Sequence, residues 1–254
     1  MSGGTTVVVG AAQGIGAEIA ERLSREDWVS RLLLADLKAD ACAEVAAGIG
    51  RDGLIVESRG VDVTDPGSVA ELVAASSGVD RVAIASGAFA PDASLEVERE
   101  TFARIIDVNL EGSFFCAQGF AAEMAADGGG AIVGVASIAA RMPRMRQAAY
   151  CASKAGMRQG LRVLGMEVAA DGVRINTVSP GATDTPMMRA LAADHDSVDD
   201  LAEGTLEAMR PRIPSGRVAR TADIAGAVAY LLGPEAEHIF LQDLVIDGGE
   251  LLGM

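Results

Sequence analysis

The 254-residue chain predicts an α/β fold, a single domain on one doubly wound parallel sheet of about seven strands with helices on both faces. Short apolar runs rich in β-branched residues alternate with helical stretches of about ten or more residues, the pattern of repeated βαβ units. Several runs end in glycine or other small residues, at the strand ends where open sheets of this kind take their ligands. No internal repeat, low-complexity tract or proline-rich linker divides residues 1–254, so one domain is expected.

TTVVV (5–9) is the first buried strand, followed by the turn GAAQGIG and by AEIAERLSRE with helical spacing. RLLLAD (31–36) is the second strand, DACAEVAAGIG the helix behind it, and GLIVESRGVDV (53–63) holds the third strand. DPGSVAELVAASS (65–77) opens with aspartate and Pro-Gly, which marks a capped helix start. DRVAIASGA (80–88) is the fourth strand, and a long helix covers 100–126 with Asn109 on its active-site side. GAIVGVAS (130–137) is the fifth strand, a helix carrying Tyr150 and Lys154 runs to about Ala170, VRINTVSPG (173–181) is the sixth strand and LQDLVIDGG (241–249) the last. The stretch 183–220 is polar, mixed and broken by prolines, and reads as a substrate lid.

Composition narrows the function classes. Half the residues are hydrophobic and only 4% are aromatic, which suits close helix–sheet packing. Cys42, Cys116 and Cys151 fit neither a disulfide framework nor metal-ligand spacing, so no metal is expected. No apolar run reaches the ~20 residues a bilayer span requires, and the N-terminus lacks a signal-peptide pattern; a cytoplasmic protein without a membrane partner is expected. The net charge of −15 repels a polyanion and argues against nucleic acid as a partner. An anionic substrate would need a local cationic pocket.

Gly10, Gly14 and Gly16, with Gln13 and Ile15 between them, follow the first strand and head a helix. Glycines there let the backbone approach a pyrophosphate, which then sits on the helix N-terminus. Asp36 ends the second strand 20 residues after Gly16, the position of a carboxylate that hydrogen-bonds the ribose 2′-hydroxyl of NAD and repels the 2′-phosphate of NADP. Asp62 with Val63 closes the third strand and reaches toward an adenine; Gly87 closes the fourth, and Pro180 and Gly181 the sixth. Tyr150 and Lys154, four residues apart on one helix face, pair a phenol with an ammonium, and a neighbouring cation favours the phenolate.

Together, VGAAQGIG (9–16), Asp36, DV (62–63), VNL (108–110), Ser137, Tyr150-x-x-x-Lys154 and SPG (179–181) resemble the short-chain dehydrogenase/reductase family over nearly the whole chain. The resemblance implies a Rossmann-type fold and NAD as cofactor. It makes Tyr150 the general acid/base, with Lys154 lowering its pKa and holding the nicotinamide ribose. Ser137 would orient the substrate oxygen, Asn109 would bind a relay water, and Thr183 and Thr185 would meet the cofactor, Thr185 at the nicotinamide carboxamide. It also implies a homotetramer built on the two long helices and the last strand, with which Phe114, Phe115, Leu161 and Leu164 are consistent, although a monomer core could use them too. Two departures stand out. Val9 replaces the usual threonine, and Ile84-Ala85-Ser86-Gly87 replaces Asn-Asn-Ala-Gly, with Ser86 or backbone taking up some of the lost amide bonds.

Arg141, Arg144 and Arg146 lie between Ser137 and Tyr150 in this acidic chain, and arginine suits bidentate capture of a carboxylate. Met142, Met145, Met187 and Met188 offer adaptable apolar lining or ordinary core packing. PR (143–144), SPGATDTPM (179–187), RIPSGRVAR (212–220) and HIFLQDLVIDGGELLG (238–253) are similar to the 2,3-dihydro-2,3-dihydroxybenzoate dehydrogenases of catechol siderophore biosynthesis. That resemblance implies NAD-dependent oxidation of a ring hydroxyl in a small cyclohexadiene carboxylic acid, with Arg144 on its carboxylate. The alternatives are the amino analogue 2,3-dihydro-3-hydroxyanthranilate, an unrelated alcohol and, last, a non-catalytic NAD-binding protein on the same fold.

Overall fold

Strands β1 (Gly4–Val9), β2 (Val29–Asp36) and β3 (Ile55–Gly60) make one half of the sheet, and β4 (Val79–Ile84), β5 (Gly130–Val135), β6 (Val173–Pro180) and β7 (Asp243–Ile246) the other. In the computed structural model, which describes residues 4–191 and 197–253, they form one seven-stranded sheet in the order β3-β2-β1-β4-β5-β6-β7. Every neighbouring pair is parallel. The winding reverses between β1 and β4, and that reversal opens a crevice at the strand carboxyl ends.

The strands read as buried because both faces are covered. Val7 and Val9 of β1 point to one core and Val8 to the other, the period-two alternation of a strand. Helices α1 (Gly14–Leu23) and α2 (Ala39–Gly48) cover the Val8 face, where Ile19 and Cys42 are buried with Leu34. Helix α3 (Pro66–Ala75) packs on the opposite face through Leu72. Its start is as the sequence predicts: Pro66 opens the helix and the Asp65 carboxylate accepts from Gly67 N at 3.1 Å and Ser68 N at 3.2 Å.

The long helix expected over 100–126 is α4 (Arg99–Ile106) and α5 (Ser113–Ala126) joined by a π-helical segment, Asp107–Gly112, centred on Asn109. Wide turns of this type frequently mark functional positions inside a helix. Helix α6 (Ala148–Val168) carries Tyr150 and Lys154. The lid region contains the short helix α7 (Pro186–Leu191), a 3₁₀ segment at Val198–Glu203 and a tight turn closed by Thr205 and Arg210; residues 192–196 of the expected lid lie outside the described residues. Helix α8 (Thr221–Leu232) returns to the Val8 face and packs on α1. Among the described residues no helix is long and apolar enough to cross a membrane.

One expectation changes, and one alternative is settled. Strand β4 stops at Ile84, four residues short of the sequence reading, because Ala85 to Ala88 leave the sheet to form the cavity wall. Of the residues that could serve an assembly surface or the monomer core, Leu161 and Leu164 belong to the core, buried under the sheet with Ile132 and Ile175, whereas Phe115 is exposed.

Candidate active site

The crevice at the strand ends is a cavity of about 950 Å³. Its first wall is the turn between β1 and α1. Gly10 has φ +85°, and a Cβ there would lie 2.5 Å from Ser86 N. Gly14 has φ +59°, also in the left-handed region. A Cβ on Gly16 would sit 1.9 Å from Gly10 O, so only glycine lets α1 start this close to the strand end. No side chain caps the start of α1, leaving its first N–H groups directed at the cavity. This is the cradle that a pyrophosphate fills.

Asp36 stands at the end of β2, its Oδ2 accepting from Ala12 N at 3.0 Å and its Oδ1 from Lys38 N at 2.9 Å. These bonds hold the carboxylate on the cavity edge, with lone pairs left for a ribose diol. Asp62 and Val63 line the same end, where Asp62 Oδ1 accepts from Thr64 N at 2.9 Å and Thr64 Oγ1 at 2.7 Å. Gln13, Ile15, Gly87, Pro180, Gly181, Thr183 and Thr185 complete the wall. Thr185 is oriented by the Met188 N–H, which donates to its hydroxyl at 3.1 Å, and Thr183 donates to Gly181 O at 3.1 Å. Uncapped helix, glycine cradle and edge carboxylate together fit a nicotinamide dinucleotide.

Ser137, Tyr150 and Lys154 also line the cavity, with Lys154 Nζ next to Gly87. Ser137 follows β5, and its hydroxyl accepts from Ala139 N at 3.1 Å and hydrogen-bonds Tyr150. Tyr150 sits in the first turn of α6, its ring edge-on to Phe89 with centroids 5.2 Å apart. Burial pushes the phenol above the usual tyrosine range, and the Ser137 hydrogen bond pulls the other way. Lys154 lies one helical turn further along α6. Its Nζ donates to Val135 O at 2.8 Å, 6.0 Å from the Tyr150 ring centroid, and burial pushes the lysine itself down to about 8. Desolvation dominates both groups because neither has an opposite charge beside it.

Lys154 makes stability depend on pH. Its unfolded value is 10.5 and its folded value about 8. The cost of burying the ammonium is fully present below the folded value and falls away as pH rises toward the unfolded one. Between pH 7 and 9.5 the ligand-free protein should therefore gain about 2 kcal/mol relative to Lys154→Met. Urea unfolding of the two proteins at both pH values measures this, and parallel curves would exclude the buried ammonium.

Asn109 lies where the sequence puts it, but its side chain is committed elsewhere. Oδ1 accepts from Ala88 N at 2.7 Å; Nδ2 donates to Ala88 O at 2.9 Å and to Ser153 Oγ at 3.0 Å. The amide clamps the segment after β4 to α6. Ser86 does not replace lost amide bonds: its Oγ is buried without a hydrogen-bond partner among the described residues.

The three arginines separate. Only Arg144 lines the cavity, and its Nη2 already donates to Glu250 Oε1 at 2.6 Å. Arg141 binds Asp243, with Nε 2.9 Å from Oδ2, and is no part of the cavity wall. Arg146 turns away with φ +63° and donates to Pro91 O at 3.1 Å. Asp243 also accepts from Thr177 at 2.9 Å, Ser179 at 2.7 Å and Arg158 at 3.2 Å. Burial alone would raise Asp243, but the Ser179, Arg141 and Thr177 hydrogen bonds hold it below the usual carboxylate range. Met187 and Met188 line the cavity; Met142 and Met145 do not. Sequence reading missed Phe89, Gln147 and Arg210, all in the wall. Gln147, three residues before Tyr150, was within reach of motif spacing; Arg210, 60 residues beyond Tyr150, was not.

Residues 10–250 match the adh_short_C2 family, described as "Enoyl-(Acyl carrier protein) reductase". The chain is similar to 2,3-dihydro-2,3-dihydroxybenzoate dehydrogenase of Bacillus subtilis (strain 168), 31% identical over 258 residues, covering 100% of this chain and 98% of the relative. It is 35% identical over 250 residues to cis-4-hydroxycyclohexanecarboxylate dehydrogenase of Sinomonas cyclohexanicum, covering 96% of this chain and 94% of that one. A solved structure of a putative NAD(P) dependent gluconate 5-dehydrogenase from Beutenbergia cavernae, with bound NADP at low occupancy, superposes with a TM-score of 0.89 at 31% identity, covering 99% of this chain and 98% of that chain. Family match, parallel sheet and the Ser137–Tyr150–Lys154 wall agree: the chain belongs to the short-chain dehydrogenase/reductase family.

Proposed function

We propose that this protein is an NAD-dependent dehydrogenase that oxidises a ring hydroxyl of a cyclohexadiene carboxylic acid to give an aromatic product in siderophore or secondary-metabolite biosynthesis. The carrying observation is that the cavity places Ser137, Tyr150 and Lys154 together with Arg144 in a chain of net charge −15. Similarity to dehydrogenases of dihydroxybenzoate and cyclohexanecarboxylate type supports a carboxylated ring.

Ser137 and Tyr150 hold the substrate oxygen between their hydroxyls, and Arg144 faces the carboxylate. When bound, the oxidised dinucleotide accepts the hydride from the carbinol carbon and brings a positive ring charge to the site. In its phenolate form Tyr150 takes the hydroxyl proton as the hydride leaves the carbon with the C–H electron pair, and the O–H pair becomes the second bond of the new C=O. The dienone then shifts a ring proton and becomes a catechol. Lys154, with a pKa near 8, is suited to pass the tyrosine's proton onward. Asn109 keeps the wall at Ala88 in place, and Thr183 and Thr185 support the nicotinamide end. Asp36 favours NAD because it would repel a 2′-phosphate. Exposed Phe115, Val163, Met166 and Leu244 supply apolar surface for a homotetramer, and the cytoplasm is the compartment that three free cysteines suit.

Similarity to a gluconate dehydrogenase favours a second reading, an open-chain sugar acid. Purified protein is assayed with NAD⁺ and NADP⁺ against 2,3-dihydro-2,3-dihydroxybenzoate, its 2-amino analogue, cis-4-hydroxycyclohexanecarboxylate and gluconate. Dinucleotide reduction with a cyclohexadiene acid and appearance of its aromatic product is expected; turnover of gluconate alone would replace the ring acid by the sugar acid. Asp36→Ala should move the NADP/NAD ratio of kcat/KM by about tenfold or more toward NADP, and an unmoved ratio would remove Asp36 from cofactor choice.

A further inference from the structure

Two arginines from distant segments share one carboxylate behind the cavity wall. Arg144 Nη2 lies 2.6 Å from Glu250 Oε1, and Arg210 Nε lies 3.5 Å from the same oxygen. The Glu250 side chain is 0% exposed, against 10% for Arg144 and 16% for Arg210. Both arginines line the cavity; Glu250 does not.

Each segment is fixed by its own backbone. Arg210 closes a tight turn, with Thr205 N to Arg210 O and Arg210 N to Thr205 O both 2.9 Å. Gly204 precedes it at φ +67°, where a Cβ would lie 2.4 Å from Arg210 O. Glu250 sits on a turn after β7 that Asp247 caps, its Oδ1 accepting from Gly249 N at 2.8 Å and its Oδ2 from Leu251 N at 2.7 Å. The convergence is therefore built into the fold.

One carboxylate between two guanidinium groups leaves one positive charge uncompensated in a largely desolvated wall. Such a charge is costly unless an anion or a hydrogen-bond acceptor meets it. Arg144 Nη1 is buried without a hydrogen-bond partner among the described residues and Arg210 Nε has only the long 3.5 Å contact with Glu250, so donor capacity is unspent, while Glu250 Oε2 is likewise unpaired. Burial lowers the Arg210 pKa, and the nearby Arg144 charge lowers it further despite Glu250.

We propose that Arg210 and Arg144, held side by side by Glu250, form the anion subsite of the cavity, and that Glu250 sets its charge so that a monoanionic carboxylate is preferred over a dianion. This rests on the ring-acid reading above and adds to it a second arginine and a positioning residue. Arg144 and Arg210 touch the ligand carboxylate; Glu250 acts through them. Without Glu250, the two guanidinium groups would repel each other and the subsite would carry a second positive charge.

Binding to the dinucleotide-loaded protein, read by calorimetry, tests this apart from turnover. The probes are benzoate, its neutral isostere benzamide, and the dianion phthalate. Arg210→Gln should weaken benzoate by about ten- to a hundredfold, the loss of a charge-assisted bond, and leave benzamide unchanged. Arg210→Lys should recover part of the loss. Glu250→Gln should raise phthalate affinity relative to benzoate by about tenfold. Equal weakening of benzoate and benzamide, or unchanged benzoate affinity in Arg210→Gln, would overturn the subsite. An unchanged phthalate/benzoate ratio in Glu250→Gln would overturn the role of Glu250. If benzoate binding needs Arg210 while no cyclohexadiene acid is oxidised, the subsite stands and the ring-acid function fails. If Arg210→Gln oxidises the ring acid with unchanged KM, the function stands and the subsite fails.

Discussion

Tyr150→Phe should lower turnover by about a thousandfold or more, within the range that acid–base groups contribute, and leave dinucleotide affinity unchanged. The substitution removes one oxygen. The ring keeps its edge contact with Phe89, at an interplanar angle of 80°, so the wall retains its shape. Lys154 cannot substitute for the lost hydroxyl, because its Nζ is buried against Val135 O, 6.0 Å from the ring centroid. Ser137 cannot either, since serine hydroxyls are far weaker acids than phenols. Steady-state rates with saturating substrate, set beside dinucleotide titration by fluorescence, give the two readouts. Normal turnover in the variant would mean that another group moves the proton.

The second large effect comes from a single methyl group. Gly16→Ala puts a carbon 1.9 Å from Gly10 O and 2.8 Å from Gly10 C. Backbone atoms cannot rotate away as a flexible side-chain end would, so α1 must shift relative to β1. Overpacking of this kind costs about 3 kcal/mol or more, and the shifted helix start no longer meets a pyrophosphate. A marked fall in Tm together with loss of dinucleotide binding is expected. Gly226→Ala is the matched control. Gly226 lies inside α8 with nothing within 4 Å of its Cβ position, and there alanine should stabilise by about 0.5–1 kcal/mol. Equal behaviour of the two variants would dismiss the tight cradle.

Much of this architecture was legible because its signals are local. A glycine turn between an apolar run and a helix, a carboxylate at a strand end, and a Tyr–Lys spacing of one helical turn each occupy a few consecutive residues. What escaped was set by contacts between remote segments. Arg141, Arg144 and Arg146 look equivalent in sequence, but their partners are Asp243, Glu250 and the Pro91 carbonyl. Only folding sorts them into one wall residue, one tie to the sheet edge and one outward-facing side chain. The burial of Tyr150 and Lys154 escaped for a related reason. Helical spacing brings the two onto one face, but burial, which spacing does not reveal, outweighs the attraction that spacing suggests. Leu161 and Leu164 illustrate the same limit, since helical periodicity alone does not say whether an apolar stripe meets the sheet or a second chain.

The π-helical segment at Asp107–Gly112 has one more consequence. An α-helix turns by about 100° per residue, so the phase of a straight rod is fixed from end to end. A widened turn resets that phase midway. Upstream of it α4 leans on α6, while downstream α5 meets α3 and the underside of β4 and β5 as well as α6. The rod thus serves two differently oriented neighbourhoods without a break. Deleting a single residue within 107–112 would bring both halves back into step and swing one of them off its seat.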